Sequence, residues 1–265
     1  MKRKKDEVSI EERVLNEKEA YRKQIDRKKY NAAFGHAQAG YPVNRRDAIY
    51  ASVLKKGKDK KVLEIGSTSW RKFIDFENYP PKELICINIS EVELEKGRKR
   101  ASNLNTSAHC NHTFQIMDAH KLEFPDNTFD ICFGQEILHH LDYEAATKEI
   151  ARVLKPGGEM IFIEPLGRNP IGKLVRWLTP TKRTDFEKPV SKKEVEIFKK
   201  YFKIDLFYSQ LFYVPAGAIS KYLFKSPKNP FTYIAHKLDL GLEKIFRGFI
   251  GLYYRQIIIK GTVKK

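Results

Sequence analysis

The feature that most constrains this chain is an alternation of short apolar strands with helices between residues 61 and 165. Five segments are predicted as strands: Lys61–Gly66, Leu84–Ile89, Thr113–Met117, Phe129–Phe133 and Glu159–Glu164. Helices are predicted between them at Glu91–Ala101 and Tyr143–Leu154. Strands that alternate with helices pair in parallel and carry helices on both faces of the sheet. Such sheets bind ligands beyond the carboxyl ends of their strands.

The regions on either side of this alternation predict additions to the sheet. Residues 1–30 carry alternating charges at helical spacing and predict a long, exposed and partly frayed helix, with a loop over 31–44 and a short helix at Arg46–Leu54. Two later β-rich runs, Phe202–Val214 and Tyr254–Val263, bring the strands to seven. The predicted architecture is an α/β, Rossmann-like, doubly wound and mostly parallel seven-stranded sheet, with a basic N-terminal helical extension (1–45), a main domain (46–265) and a helical insertion (about 216–252) between the last two strands.

Charge is distributed unevenly along the chain, whose formal net charge is +17. Residues 1–60 carry 17 basic against 9 acidic side chains, residues 61–165 carry 12 against 17, and residues 166–265 carry 21 against 7. Basic ends around a mildly acidic middle predict an anionic partner, either a membrane surface or a nucleic acid. Solvated lysine-rich faces that aid solubility are the alternative.

Cysteine usage and the absence of long apolar runs bear on localisation. Cys86, Cys110 and Cys132 are odd in number and lack metal-ligand spacing, which predicts a reducing compartment and no metal site. Cys86 and Cys132 lie inside apolar runs and are predicted to be small buried hydrophobic residues. The N-terminus does not resemble a secretory signal, and no apolar run reaches the ~20 residues of a membrane-spanning helix. The sequence predicts a cytoplasmic protein and leaves peripheral association with a membrane open.

An ordered series of motifs follows the predicted strands. The first strand, Val62-Leu63-Glu64-Ile65-Gly66, ends in a glycine that lets the chain turn sharply beside a ligand. The second strand ends in Asn88-Ile89-Ser90, and Met117-Asp118-Ala119 closes the third. The remaining motifs are Phe124-Pro125-Asp126-Asn127-Thr128-Phe129-Asp130, Gln135-Glu136-Ile137-Leu138-His139-His140-Leu141 and Leu154-Lys155-Pro156-Gly157-Gly158.

This series resembles the class I S-adenosylmethionine-dependent methyltransferases, in particular the group that shares the "type 11" methyltransferase domain. The resemblance covers roughly residues 60–165 and implies methyl transfer with S-adenosylmethionine as the cofactor. The implied donor contacts are Glu64, Gly66 and Ser67 at the amino acid portion, Asn88 and Ile89 at the ribose, Asp118 and Ala119 at the adenine, and Gln135 at the methionine portion. Because a sulfonium makes the methyl group electrophilic, most of the expected catalytic work is alignment for in-line displacement.

Two positions depart from the family pattern. The family loop usually reads Gly-x-Gly-x-Gly, whereas this chain has Gly66-Ser67-Thr68-Ser69-Trp70, in which Thr68 and Trp70 would narrow the approach to the backbone. Asn88 stands where the family usually has a carboxylate, and an amide accepts through one oxygen only. Together they predict donor binding weakened by about 1–3 kcal/mol. A non-catalytic scaffold on a degenerate fold is therefore an alternative to an enzyme.

His139 and His140 are the predicted catalytic residues. An imidazole with a pKa near neutrality can act as the general base that removes a proton from an oxygen or nitrogen acceptor. Structural packing of one of the pair is the alternative. His36 is a second candidate base, and Tyr30 and Phe34 either close over the donor or pack in the core.

The helical insertion carries an apolar stripe at 3–4 residue spacing. Its members are Phe231, Ile234, Ala235, Leu238, Leu242, Ile245, Phe246, Phe249, Ile250 and Tyr253, with Lys237, Asp239, Glu243, Lys244 and Arg247 opposite. This pattern predicts either an interfacial membrane helix or a helix packed on its own domain as a lid. The predicted acceptor is a small molecule, glycan or lipid-linked compound, and RNA is the alternative acceptor.

Overall fold

The computed structural model of this chain describes residues 9–22, 36, 39–170, 173, 187–246 and 251–264. Within them, one seven-stranded sheet has the order β3-β2-β1-β4-β5-β7-β6. The strands are β1 Lys61–Ile65, β2 Glu83–Asn88, β3 Asn111–Ile116, β4 Phe129–Gln135, β5 Leu154–Pro165, β6 Phe202–Ser209 and β7 Gln256–Val263. Only β7 runs antiparallel to its neighbours in this sheet. The predicted α/β fold and mostly parallel sheet are confirmed.

Eight helices accompany these strands in the described residues. They are α1 Ile10–Arg22, α2 Tyr41–Leu54, α3 Trp70–Phe73, α4 Glu91–Asn103, α5 Tyr143–Val153, α6 Lys192–Tyr201, α7 Tyr213–Leu223 and α8 Pro230–Phe246. No helix among the described residues has the length and apolar character needed to cross a membrane.

The core consists of two apolar layers, one on each face of the sheet. Side chains alternate between the two faces of a strand, so Leu63 belongs to one layer and its neighbour Val62 to the other. Cys86, Cys110 and Cys132 are free and buried, which confirms the predicted burial of Cys86 and Cys132. Because both faces are covered, the central strands read as continuous apolar runs.

Several predicted boundaries were wrong. α2 begins at Tyr41 rather than Arg46, with a proline in its first turn, where its fixed φ suits a helix and its missing N–H costs nothing. The β-rich run Phe202–Val214 ends as a strand at Ser209, and its last two residues begin α7. The insertion predicted as one helical segment comprises two helices in the described residues. α1 is not wholly exposed, because Arg13 and Glu17 are 4% and 3% exposed.

The sheet directions place the insertion beside the ligand-binding edge. β6 is parallel to β5, because both pair antiparallel with β7. The carboxyl end of β6 therefore lies on the same edge as those of β1–β5. α7 and α8 follow β6 directly, so the insertion starts from the edge at which sheets of this type bind ligands.

Candidate active site

A cleft opens at the carboxyl ends of β1, β2 and β3. It contains about 370 Å³ of empty space, including the part open to solvent. Four of the predicted donor residues line it: Gly66, Asn88, Ile89 and Ala119. The structure thus brings together residues from three separate motifs, which sequence spacing alone could only suggest.

Trp70 does not occupy this cleft. Its side chain is fully buried and packs edge-on against His112, with ring centroids 4.8 Å apart, and against Phe76 at 5.8 Å. The sequence-based expectation that Trp70 narrows the cleft was therefore wrong. The indole serves as part of the core layer beneath the sheet, and the cleft beside Gly66 remains open.

Glu64 organises the loop that follows β1. Its side chain is fully buried, and Oε1 accepts hydrogen bonds from the backbone N–H groups of Ser69 (2.6 Å) and Trp70 (3.0 Å). Burial raises the pKa of this carboxyl group, and the hydrogen bonds oppose that shift. Glu64 lies beneath the loop rather than on the cleft wall. Its contact with a donor stays a prediction.

Asn88 connects the loops after β1 and β2. Its Nδ2 donates to the carbonyl of Gly66 (3.0 Å) and its Oδ1 accepts the N–H of Ser90 (2.9 Å). Ser67, which is fully buried, lies next to this amide with a left-handed φ of 64°. A carboxylate could not donate to the Gly66 carbonyl. The departure from the family pattern at this position therefore has a structural cause.

Asp118 and Gln135 lie near the cleft without forming its wall. Asp118 Oδ1 accepts from the N–H of His120 (2.9 Å) and lies 2.6 Å from His120 Nδ1. Although burial works in the other direction, these contacts with His120 lower the pKa of Asp118. Gln135 Oε1 lies 3.5 Å from Lys72 Nζ. Their contacts with a donor also stay predictions.

His139 is held by a buried carboxylate. Its Nδ1 lies 2.7 Å from Oε2 of Glu164, which is fully buried at the carboxyl end of β5. Glu164 Oε1 also accepts the backbone N–H groups of Ile137 (3.0 Å) and Leu138 (2.8 Å). Burial lowers the pKa of His139, but the hydrogen bond and charge of Glu164 outweigh it, so the net shift is upward. One glutamate thus fixes both the turn after β4 and its first histidine.

His140 lines the cleft and contacts helix α1. Its Nδ1 lies 3.0 Å from Oε1 of Glu17, which also lines the cleft. Glu17 was not predicted as a site residue, because its signal in the sequence was only its spacing of four residues from Arg13, the other buried charge of α1. A carboxylate oxygen of Glu187, one ring nitrogen of His139 and one ring nitrogen of His140 all lie within 4.8 Å of one another.

The remaining candidate residues lie elsewhere or outside the described residues. His36 Nδ1 is 3.2 Å from Ser220 Oγ on α7, and so contacts the insertion. Tyr30 and Phe34 lie outside the described residues, as do Arg247, Phe249 and Ile250 of the predicted insertion stripe.

Comparison with known proteins agrees with this geometry. Residues 63–162 match the family model described as a methyltransferase domain. A demethylmenaquinone methyltransferase from Symbiobacterium thermophilum is 32% identical over 192 residues, which cover 69% of this chain and 64% of the relative. The ubiquinone/menaquinone biosynthesis C-methyltransferase UbiE of Pseudomonas syringae pv. tomato is 37% identical over 126 residues, or 45% of this chain and 46% of the relative. The chain thus spans less than two thirds of the length of these curated relatives.

Solved structures support the fold. A geranyl diphosphate C-methyltransferase from Streptomyces coelicolor, solved with Mg²⁺, a substrate analogue and S-adenosyl-L-homocysteine, superposes with a TM-score of 0.57 at 12% identity, over 83% of this chain and 75% of that one. The YcgJ protein of Bacillus subtilis superposes with a TM-score of 0.55 at 17% identity, over 84% of this chain and 99% of that one. Residues 63–162 thus form a methyltransferase domain, and the strand order and the solved structures give it the fold of the class I S-adenosylmethionine-dependent methyltransferases.

Proposed function

We propose that this chain transfers a methyl group from S-adenosylmethionine to a lipid-soluble small-molecule acceptor, with His139 as the general base. The observation that carries the proposal is the His139–Glu164 pair. It lies in the turn after β4 that also supplies Ile137 and His140 to the cleft wall. A base in that turn is close to where the donor's methionine portion is expected.

Glu164 gives His139 the properties that a base needs. A carboxylate at Nδ1 favours the tautomer with the proton on Nδ1, which leaves Nε2 free to accept one. The upward shift of the His139 pKa strengthens its affinity for the proton that the acceptor loses. The bound donor supplies an electrophilic methyl group on its sulfonium, and S-adenosylhomocysteine is the product it leaves.

The cleft residues suit a nucleoside. Gly66, Asn88, Ile89 and Ala119 form its wall, and their apolar surfaces and backbone groups fit a flat base and a ribose. The two contacts of Asp118 with His120 both use Oδ1, which leaves Oδ2 to accept a hydrogen bond from an adenine amino group. We retain Glu64, Ser67 and Gln135 as predicted contacts of the amino acid portion.

The proposed acceptor class combines the sequence prediction with the relatives. The sequence predicts methylation at oxygen or nitrogen of a small-molecule, glycan or lipid-linked acceptor. The relative named as a ubiquinone/menaquinone biosynthesis C-methyltransferase makes carbon a third candidate for the methylated atom. Together with the demethylmenaquinone methyltransferase, it favours a lipid-soluble acceptor. The insertion also supports a lipid-soluble acceptor, because it starts from the same edge of the sheet as the cleft and carries exposed apolar side chains.

Calorimetry with S-adenosylmethionine and S-adenosylhomocysteine tests the donor part of the proposal. Ile137→Trp would fill the cleft from its wall and should abolish binding. Leu104→Trp, on a side chain that is 57% exposed and absent from the cleft wall, should leave binding unchanged. Failure of the wild-type protein to bind either compound at millimolar concentration would favour a scaffold instead.

The acceptor part is tested with donor carrying a labelled methyl group and a total lipid extract. We expect label in the organic phase, and loss of that label in His139→Asn with donor affinity retained. Label confined to added RNA or to water-soluble acceptors would contradict the proposed acceptor class.

A further inference from the structure

Helix α8 turns its apolar side chains toward solvent. Its buried residues are Thr232, Ala235, Asp239 and Glu243. The predicted apolar stripe is largely exposed: Phe231 is 40% exposed, Ile234 59%, Leu238 53% and Ile245 70%. A helix of a globular protein normally buries its apolar stripe and exposes its charges. α8 has the reverse orientation.

The buried acids fix this orientation. Asp239 accepts the backbone N–H groups of Leu211 (3.1 Å) and Phe212 (2.7 Å), which precede α7, and of Tyr213 (3.2 Å), its first residue. It therefore caps a neighbouring helix, a role in which a carboxylate is strongly favoured. Rotating α8 to bury its apolar stripe would break these bonds.

Glu243 holds the other end of α8. Its Oε2 pairs with Arg45 of α2 at 2.6 Å, and its Oε1 accepts the N–H of Tyr208 at 2.7 Å. Arg45 also donates to the carbonyl of Tyr208 at 2.9 Å. The inner face of α8 is thus tied to both α2 and β6, and its outer face is left to solvent.

Helix α7 extends the exposed apolar area. At its carboxyl end Ile219 is 51% exposed, Tyr222 81%, Leu223 67% and Phe224 38%. α7 and α8 are joined by the Asp239 contacts and by a 2.6 Å bond from Asn229 Nδ2 to Ser220 Oγ. We call these four side chains, together with Phe231, Ile234, Leu238 and Ile245 of α8, the insertion surface. Clusters of exposed large apolar side chains mark interaction sites rather than ordinary solvated surface.

The exposed charges within the insertion itself have one sign. Residues 213–246 contain five lysines, at positions 221, 225, 228, 237 and 244, and two acids, Asp239 and Glu243. Both acids are buried, so the solvent-facing charge of this segment is positive. Pairing two copies through this surface would bring like charges together, whereas an anionic lipid surface is complementary to it.

We propose that the insertion surface docks this protein on an anionic lipid bilayer, with α7 and α8 lying in the interface. Apolar and aromatic side chains would enter the headgroup region, and the lysines would contact lipid phosphates and carboxylates, as for other interfacial helices. The carboxyl edge of the sheet then faces the source of a lipid-soluble acceptor. Docking itself requires no methyl transfer, so it stands or fails independently of the proposed function.

Flotation with vesicles tests the docking, using phosphatidylcholine alone or with about 30% phosphatidylserine. The full chain should float with the anionic vesicles and at least tenfold less with neutral ones, and salt should weaken the binding. Leu223→Asp combined with Ile234→Asp should lower anionic-vesicle binding at least tenfold. Lys225→Gln combined with Lys237→Gln should also lower it, by roughly fivefold for each lysine or about 25-fold together.

A matched control separates this surface from general exposure of apolar residues. Leu104→Asp combined with Ile116→Asp changes two side chains, 57% and 60% exposed, that lie outside the insertion, and should leave flotation unchanged. Each variant is checked for folding by circular dichroism and for donor binding, which the insertion variants should retain.

Four results would overturn the docking proposal. The wild-type protein could fail to float with anionic vesicles, or the insertion and control variants could lose flotation equally. In the third case, sedimentation velocity would find a dimer that the Leu223/Ile234 variant dissociates, which would assign the surface to a second copy. Filter binding to RNA that depends on the lysines but not on Leu223 and Ile234 would count against docking in the same way.

Discussion

Replacing Glu164 with glutamine tests how the active-site turn is held. Glutamine keeps the volume and one oxygen, so that oxygen can still accept from Ile137 and Leu138. The new amide group must then face His139 Nδ1, 2.7 Å from the present Oε2. Two N–H donors would oppose each other there, unless the imidazole moves its proton to Nε2.

The size of the effect follows from the bond that is lost. A hydrogen bond to a charged group contributes about 1.5–3 kcal/mol, so Glu164→Gln should lower the free energy of unfolding by about 2 kcal/mol. The loss should depend on pH. Because the folded-state pKa of His139 is raised, its stabilisation by Glu164 is fully present below the unfolded pKa and disappears as pH rises through the folded pKa. We therefore expect a larger loss at pH 5.5 than at pH 9.

Urea unfolding followed by tryptophan fluorescence measures the free energy at the two pH values. Glu136→Gln is the control, since Glu136 is an exposed neighbour in the same turn that accepts a bond from Gln256 Nε2 at 3.0 Å. It should lower stability by less than about 1 kcal/mol at either pH. In Glu164→Gln, nitrogen NMR of the imidazoles should show a lower pKa and a changed tautomer for His139 alone.

An equal loss of stability at both pH values would refute the charge interaction between Glu164 and His139. An unchanged His139 tautomer in the variant would refute the assignment of Nδ1 as the protonated nitrogen. In either case Glu164 would remain a hydrogen-bond acceptor for backbone N–H groups, and a residue other than His139 would have to serve as the general base.

Three further predictions follow from the packing around the cleft and the insertion. Trp70→Phe should change the donor Kd less than twofold, because the indole lies outside the cleft and its Nε1 has no hydrogen-bond partner in the described residues; calorimetry measures this. Asn88→Asp, which restores the usual family residue, should cost about 1–3 kcal/mol in urea unfolding, because a carboxylate cannot donate to the Gly66 carbonyl and would repel it. Burial raises the pKa of Asp239 to about 6, so the stability of the wild-type protein relative to Asp239→Asn should fall as pH rises from 4 to 6.5, again in urea unfolding.

The strands of the sheet were predictable because their side chains are buried on both faces. β1, β2, β4 and the end of β5 read as compact apolar runs, and parallel pairing followed from the helices between them. The positions of Gly66, Asn88, Ile89 and Ala119 at one cleft followed from the same rule, since carboxyl ends of parallel strands meet at one edge. The local sequence pattern was sufficient to predict a residue's position wherever that position depended only on the strand to which the residue belongs.

Prediction failed where a side chain's role depends on a distant partner. Trp70 was expected beside the donor because it follows Gly66 closely, but its position is decided by His112 and Phe76, more than five residues away in the chain. Glu17 entered the cleft through a contact with His140 across 123 residues. No periodicity within α1 could distinguish that glutamate from its exposed neighbours.

The hydrophobic pattern of helix α8 predicts that a helix forms there, but it does not predict which face of that helix is buried. Its hydrophobic period correctly predicted a helix with an apolar stripe, and amphipathicity alone would turn that stripe inward. The partners of its two acids decide otherwise, because unbonded N–H groups at the start of α7 and an unpaired Arg45 would each leave a partly buried polar group unsatisfied. Burying the stripe would gain apolar contact but break several hydrogen bonds and an ion pair. Keeping Asp239 and Glu243 inside therefore exposes the stripe, and an exposed stripe surrounded by lysines is the form that an interfacial helix takes.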